Sequence, residues 1–183
     1  MKISATSLPG VVICQPSVYR DNRGFFLESW NQSDFAKAVG ADIAFVQDNR
    51  SHSSRDVLRG LHYQTDPMAQ GKLVGVSRGR IYDVCVDLRK SSPTFGQSFG
   101  CYLDDDNGME IWIPPGFAHG FLVVSEVADV WYKTTEFYSP SHERCIRWDD
   151  EHLAINWPLS DGLPLVSDKD RAGSSFGAAS FFD

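Results

Sequence analysis

VLRGLHYQ, residues 57–64, sets Arg59 and His62 three positions apart around Gly60. The flanking pattern reads as a β-strand, in which successive side chains point to opposite faces. A regular strand would send the guanidinium and the imidazole to opposite sides of a sheet. Whether they serve one site therefore depends on Gly60, because glycine within a strand often marks a bulge or a close backbone approach.

Outward from this stretch the chain repeats the same kind of segment. GVVICQP, GFFLESW, IAFVQDN, KLVGVS, RIYDVCVDL, FGCYL, MEIWIP, HGFLVVSE and ADVWYKTTEFY are short, branched or aromatic, and bounded by Gly, Pro, Asp, Asn or Ser. That punctuation is expected of antiparallel strands in a barrel or sandwich. SDFAKAVG reads as a helix of about two turns, with Ser33 as N-cap and Gly40 as the stop. EHLAINWP offers a second short helix before Pro158. With no internal repeat and no linker, one all-β domain over residues 1–183 is the economical reading. The tail RAGSSFGAASFFD is small and polar until its last aromatics, so about 172–183 is expected to be mobile. Edges of such a sheet must be closed, covered or paired, which favours a dimer sharing strands.

The bulk properties narrow the function. The 183 residues are 42% hydrophobic and 22% charged, enough for a sizeable core. No apolar run approaches the roughly 18 residues that span a membrane, and the N-terminus carries no secretory pattern. A cytoplasmic location without membrane attachment is the expectation. Net charge is −7, against the positive field that nonspecific nucleic-acid binding requires. Cys14, Cys85, Cys101 and Cys145 form no CxxC pair and read as small buried side chains.

IPPGFAHGF contains Pro114, Gly116 and His119 in a Pro-x-Gly-x-x-His pattern. It resembles the second metal motif of cupin barrels. The matching first motif, HYQTDPMAQGK, has His62 but then Gln64, with Met68 or Ala69 where a glutamate belongs. Two ligands of four are missing, and Lys72 adds a cation that would repel a metal and could replace its Lewis-acid function. The expectation is a cupin-like antiparallel β-barrel, a jelly roll with a few short helices, holding no metal. His62 is the histidine set in a compact polar cluster with Arg59, Gln64 and Lys72, which suits a general base. Tyr132 and Tyr138 offer phenols, and Arg23 beside Gly24 suits a turn where phosphate approaches guanidinium and backbone. Each also has a plainer reading as packing or a solvated turn charge. No GxGxxG or P-loop pattern is present, so no nucleotide cofactor is expected.

RGFFLESW, FVQDN, VLRGLHYQ, QGKLV, DVCVDLRKSSPTFG, IWIPPGFAHGF, YKTTEFYSP and INWPLSD occur in this order. Together, over roughly residues 3–171, they resemble the dTDP-4-dehydrorhamnose 3,5-epimerase family. The resemblance implies a metal-free cupin homodimer acting on a dTDP-4-keto-6-deoxyhexose without cofactor. It implies His62 as base, Tyr132 as acid, Lys72 against the C4 carbonyl oxygen, and Asp170 orienting the base. Asp83 in IYDVCVD is the reserve for that last role. Implied substrate-binding positions are Arg23, Glu28, Gln47, Asn49, Arg59, His119, Glu143 and Lys169, with Tyr138 stacking on thymine. The family reading needs Arg59 and His62 in one cavity, which predicts a strand irregularity at Gly60.

Elementary chemistry agrees with these roles. Protons at C3 and C5 flank the C4 ketone, so loss of either gives an enolate on the same oxygen. One cation then serves both steps, and one preorganised donor of this kind is worth about 2.7–4 kcal/mol. Inversion requires a proton from the opposite face, hence a second group. The competing readings are an epimerase acting on C3 or C5 alone, a nonenzymatic nucleotide-sugar-binding cupin, and, least favoured, a metal-dependent dioxygenase.

Overall fold

A computed structural model describes residues 1–160 and 162–183. Thirteen strands are present among them: β1 (Lys2–Ala5), β2 (Val12–Gln15), β3 (Val18–Asp21), β4 (Gly24–Leu27), β5 (Gln47–Ser54), β6 (Leu58–Gln64) and β7 (Lys72–Arg78). They continue as β8 (Arg80–Asp87), β9 (Ser98–Asp104), β10 (Glu110–Ile113), β11 (Phe117–Val123), β12 (Val127–Thr134) and β13 (Glu143–Cys145). Helices α1 (Gln32–Val39) and α2 (Asp168–Arg171) complete the set with a 3₁₀ turn at Phe176–Ala178.

The strands form a six-stranded sheet, β1-β2-β10-β7-β12-β5, and a five-stranded sheet, β13-β6-β11-β8-β9. Pairing within both is antiparallel, and β3–β4 stands as a separate hairpin. The two sheets bury one interior between them. Val74, Val76, Ile111, Ile113 and Val130 come from the first, and Ile81, Cys85, Phe117, Phe121 and Val123 from the second. This is the expected cupin-like barrel.

Both sheets are covered outside as well, which is why β11 reads as an unbroken apolar run, every residue of it buried. Leu58, Leu61, Tyr63, Val84 and Leu122 pack outward beneath Leu153, Trp157 and Phe176 of the C-terminal segment. Cys14, Leu73 and Trp112 pack beneath Phe35 of α1. No helix is long and apolar enough to cross a membrane among the described residues.

Four sequence expectations need correction. The helix cap is Asn31, whose Oδ1 accepts from the Asp34 N–H at 3.1 Å, rather than Ser33. Gly40 closes the helix as expected, in the left-handed conformation at φ 73°. EHLAINWP forms no helix: the Asp150 carboxylate holds a turn by accepting from the His152 and Leu153 N–H groups, and Ala154 turns to φ 44°. IAFVQDN contributes only its polar end to β5, while Ile43 and Phe45 join the α1 cluster. The tail expected to be loose lies against the barrel. Phe176 is buried, Ser180 N–H donates to the Tyr63 hydroxyl at 3.0 Å, and Phe182 bridges Arg89. Its aromatics cover the outward apolar face that the five-stranded sheet would otherwise expose.

Candidate active site

The irregularity on β6 builds the site. β11 pairs His119 with His62 and Phe121 with Arg59, so a step of two on β11 meets a step of three on β6. The extra residue reverses the alternation. Leu58, Leu61 and Tyr63 consequently share the outward face, and Arg59, although exposed, reaches across the barrel side of the sheet to donate from Nε to Ser53 Oγ at 3.2 Å. Gly60 adopts φ +132°, and a Cβ there would lie 2.5 Å from Gly120 Cα. Glycine is required by conformation and by contact alike. The Gly60 N–H also donates to Asp170 Oδ1 at 3.3 Å, tying the bulge to the carboxylate that faces His62.

Asp170 is presented by α2. Ser167 caps that helix, accepting from the Asp170 N–H at 3.1 Å while its hydroxyl donates to Asp170 Oδ2 at 2.6 Å. The carboxylate Oδ1 lies 2.5 Å from His62 Nε2. Burial alone would raise the Asp170 pKa, but His62, the Ser167 hydroxyl and the Gly60 N–H outweigh it and hold it at about 2. The other carboxylate named for that position, Asp83, does not reach His62: its Oδ2 meets His119 Nε2 at 2.8 Å.

Lys72 begins β7 on the inward face that Val74 continues, and its Nζ donates to the His62 carbonyl at 3.2 Å. Burial lowers its pKa to about 8, against the upward pull of Asp83 and Glu143. Its ammonium is therefore retained at neutral pH, within reach of the base's own backbone. Tyr132 lies on β12 with its ring against the interior cluster. Burial raises its pKa, opposed by Arg59, so the phenol keeps its proton.

Gln47, Asn49, Ser51 and Ser53 alternate along β5, with Asn49 directly across from Tyr132. Gln47 Nε2 donates to Asn49 Oδ1 at 2.8 Å, and its Oε1 accepts from the Tyr138 N–H at 3.0 Å. The Tyr138 ring is half exposed, and its hydroxyl donates to Glu143 Oε2 at 2.7 Å. Lys169 pairs with Glu143 from the other side. Burial pushes the Glu143 carboxyl up, but Lys169 and Tyr138 more than compensate and its pKa is lowered. One rim thus carries an accessible aromatic ring, a cation and polar side chains above a floor of His62, Lys72 and Tyr132.

Arg23 and Glu28 do not join this group. Arg23 sits at the exposed tip of the β3–β4 hairpin, paired with Asp21 at 2.6 Å, and Glu28 accepts from Asn31 Nδ2 at 3.2 Å. Sequence reasoning also passed over three polar residues and misread a fourth. Ser51 and Ser53 complete the inward face of β5, and the period-two run Gln-x-Asn-x-Ser-x-Ser was a readable signal for them. Ser167 is legible as an N-cap three residues before Asp170 only once α2 is known. Gln64 was noted as a missing ligand, whereas its amide fastens two loops. It donates to the Met68 and Phe137 carbonyls and accepts from the Ser139 N–H.

These contacts also bear on metal binding. Of the cupin ligand positions, Gln64 is committed to backbone and His119 Nε2 to Asp83. His62, Asp170 and Cys145 do place donor atoms within 4.8 Å of one another. There the imidazole already meets the carboxylate, and the Cys145 thiol is pushed up to about 12 by burial and by Asp170. A protonated thiol is a poor ligand. The residues present do not fit a cupin metal set. A surface cleft of about 720 Å³ beside Phe95, His152 and Phe176 contains none of the catalytic candidates.

A family model described as dTDP-4-dehydrorhamnose 3,5-epimerase matches residues 5–177. A dTDP-4-dehydrorhamnose 3,5-epimerase from Pseudomonas aeruginosa is 54% identical over 182 residues, covering 100% of this chain and 99% of that relative. Among solved structures, dTDP-6-deoxy-D-glucose-3,5-epimerase from Legionella pneumophila, in complex with dTDP-4-keto-L-rhamnose, superposes with a TM-score of 0.93. It is 45% identical and covers 98% of this chain and 94% of its own. A 3'-monoepimerase from Streptomyces bikiniensis, in complex with dTDP-quinovose, is also similar. It has a TM-score of 0.88 at 32% identity, covering 94% of this chain and 86% of that one.

Proposed function

The chain belongs to the dTDP-4-dehydrorhamnose 3,5-epimerase family, and from that premise we propose how its residues divide the work. It is an isomerase that inverts C3 and C5 of dTDP-4-dehydro-6-deoxy-D-glucose, giving dTDP-4-dehydro-L-rhamnose. His62 takes the proton from each carbon in turn. The electron pair left behind moves onto the C4 oxygen, where the Lys72 ammonium stabilises the enolate. Tyr132 returns a proton from the opposite face, the enolate collapses to the ketone, and the carbon is inverted. Asp170 holds the imidazole and stabilises the imidazolium that forms. Nothing is oxidised or reduced, so the proton balance closes on these side chains and water.

The observation that carries this reading is the 2.5 Å contact between His62 Nε2 and Asp170 Oδ1, beside a buried lysine. On the rim, Tyr138 stacks on the thymine while Arg59 and Lys169 meet the diphosphate charge, with Gln47, Asn49, His119 and Glu143 supplying polar contacts. Two features support a homodimer. β5 is a free edge of its sheet, and the β3–β4 hairpin bares Tyr19, Phe25 and Phe26. A second copy seated there would give Arg23 and Glu28 the role in binding that one chain alone does not provide. The single domain is expected to work in the cytoplasm.

The test is incubation with the 4-keto sugar nucleotide in deuterium oxide. Deuterium should enter at C3 and C5, and His62→Ala should abolish that exchange while dTDP still binds. Exchange at one carbon only would make the chain a single-carbon epimerase, and retained turnover in the variant would remove His62 from the base role.

A further inference from the structure

Asp83 is a second buried carboxylate that the steps above do not use. Its side chain is fully enclosed on β8, facing inward with Ile81 and Cys85. Oδ2 lies 2.8 Å from His119 Nε2, and Oδ1 has no hydrogen-bond partner among the described residues. A wholly buried anion with one oxygen uncommitted is costly unless cations nearby offset it. Two inward-facing groups answer that need. His119 stands directly across the β6–β11 ladder from His62, and Lys72 feels the field of Asp83 more than that of any other acid.

We propose that Asp83 is a positioning residue that locks His119 and keeps Lys72 an ammonium beneath the C4 oxygen. This rests on the roles assigned above to His62 and Lys72. An ionised carboxylate only accepts hydrogen bonds, so the contact fixes the proton of His119 on Nε2 and with it the ring's orientation. The effect on Lys72 is electrostatic. Desolvation drives a buried ammonium towards the neutral amine, which cannot stabilise an enolate by charge. Asp83 opposes that loss without touching substrate. Other groups also face Lys72. Glu143 on β13 reinforces Asp83, and Lys169 near α2's start opposes it. The His62 carbonyl on β6 accepts from its Nζ, and Thr134 of β12 lies across from it. Cys85 and Cys101, beside Asp83, have thiols that burial raises, so both stay neutral.

The experiment is the pH profile of kcat/KM for wild type, Asp83→Asn, Asp83→Glu and His119→Gln, with dTDP binding measured alongside. Wild type should lose activity on a basic limb near pH 8, where Lys72 deprotonates. Asp83→Asn should move that limb to lower pH, losing about tenfold at pH 9 relative to pH 6.5 for each unit moved. Asp83→Glu should restore it, and His119→Gln should lower kcat with the limb unmoved. dTDP affinity should stay within a few-fold in the Asp83 variants. Asp83→Ser serves as a second charge-removing variant should the asparagine form not fold. A limb that stays in place when the charge is removed overturns the proposal, even if activity drops. That failure is distinct from failure of the His62 reading, which would appear as absent deuterium exchange in the wild type.

Discussion

Tyr132 has its ring against the barrel interior and a pKa raised chiefly by burial, so at neutral pH it is a donor and not a base. His62 sits differently, partly exposed and faced by a carboxylate that stays ionised down to about pH 2 and can stabilise the imidazolium formed when the ring takes a proton. A proton acceptor and a separate proton donor are what an inversion needs. Tyr132→Phe should therefore keep proton abstraction while losing delivery to the other face. Deuterium exchange should remain within about tenfold of wild type, and inverted product should fall by on the order of 10²–10⁴-fold. NMR of the sugar protons reads both quantities in one tube. Equal loss of exchange and inversion would contradict a role confined to reprotonation.

The element that matters most is β6. Its bulge puts Leu58, Leu61 and Tyr63 outward beneath the C-terminal segment and Arg59, still exposed, on the same side as His62. Pattern reading could pose that problem, because strict alternation contradicted the chemistry, and Gly60 was the one residue able to resolve it. A methyl group at Gly60 would meet the backbone of Gly120 at 2.5 Å and the His119 carbonyl at 2.9 Å. Neither is a flexible side chain that could move aside. Gly60→Ala should cost at least about 2 kcal/mol in urea denaturation. It should also slow exchange more than that stability loss explains, since Gly60 N–H and His62 share Asp170. Wild-type stability with wild-type exchange would show that the bulge is not specified by the glycine. By contrast, α1 was legible from SDFAKAVG because helix period and a glycine stop are local signals. Its cap was misplaced by two residues because Asn31 and Ser33 are both good caps.

At the scale of the whole molecule, much of both sheets is covered on both faces, and the outer face of the six-stranded sheet hides Glu110. Glu110 is 2% exposed, its Oε2 has no partner among the described residues, and burial raises its pKa to about 8. The folded state therefore favours the protonated form. The corresponding stability is complete below the unfolded value near 4.5 and declines as pH rises to about 8. Glu110→Gln should remove that decline. The stability gap between variant and wild type should widen in the variant's favour from pH 4.5 to 8 by a few kcal/mol, at ~1.4 kcal/mol per unit. Guanidinium titrations at three pH values check this, and parallel curves would show that Glu110 ionises normally.

The sequence by itself determined the strand content, the order of the elements and which side chains could carry chemistry. These are written in local periodicity, in turn residues and in which side chains carry chemistry, and all three survive without coordinates. Tertiary structure alone decided which carboxylate meets which histidine. Asp83 and Asp170 are both acids placed to serve a base, and only the meeting of α2 with β6 gives Asp170 to His62 and leaves Asp83 to His119. It also decided that Arg23 and Glu28 stand apart from the cluster, and that the tail packs instead of moving. Those outcomes depend on contacts between segments far apart in the chain, whose free energies come from burial and pairing that no local pattern encodes.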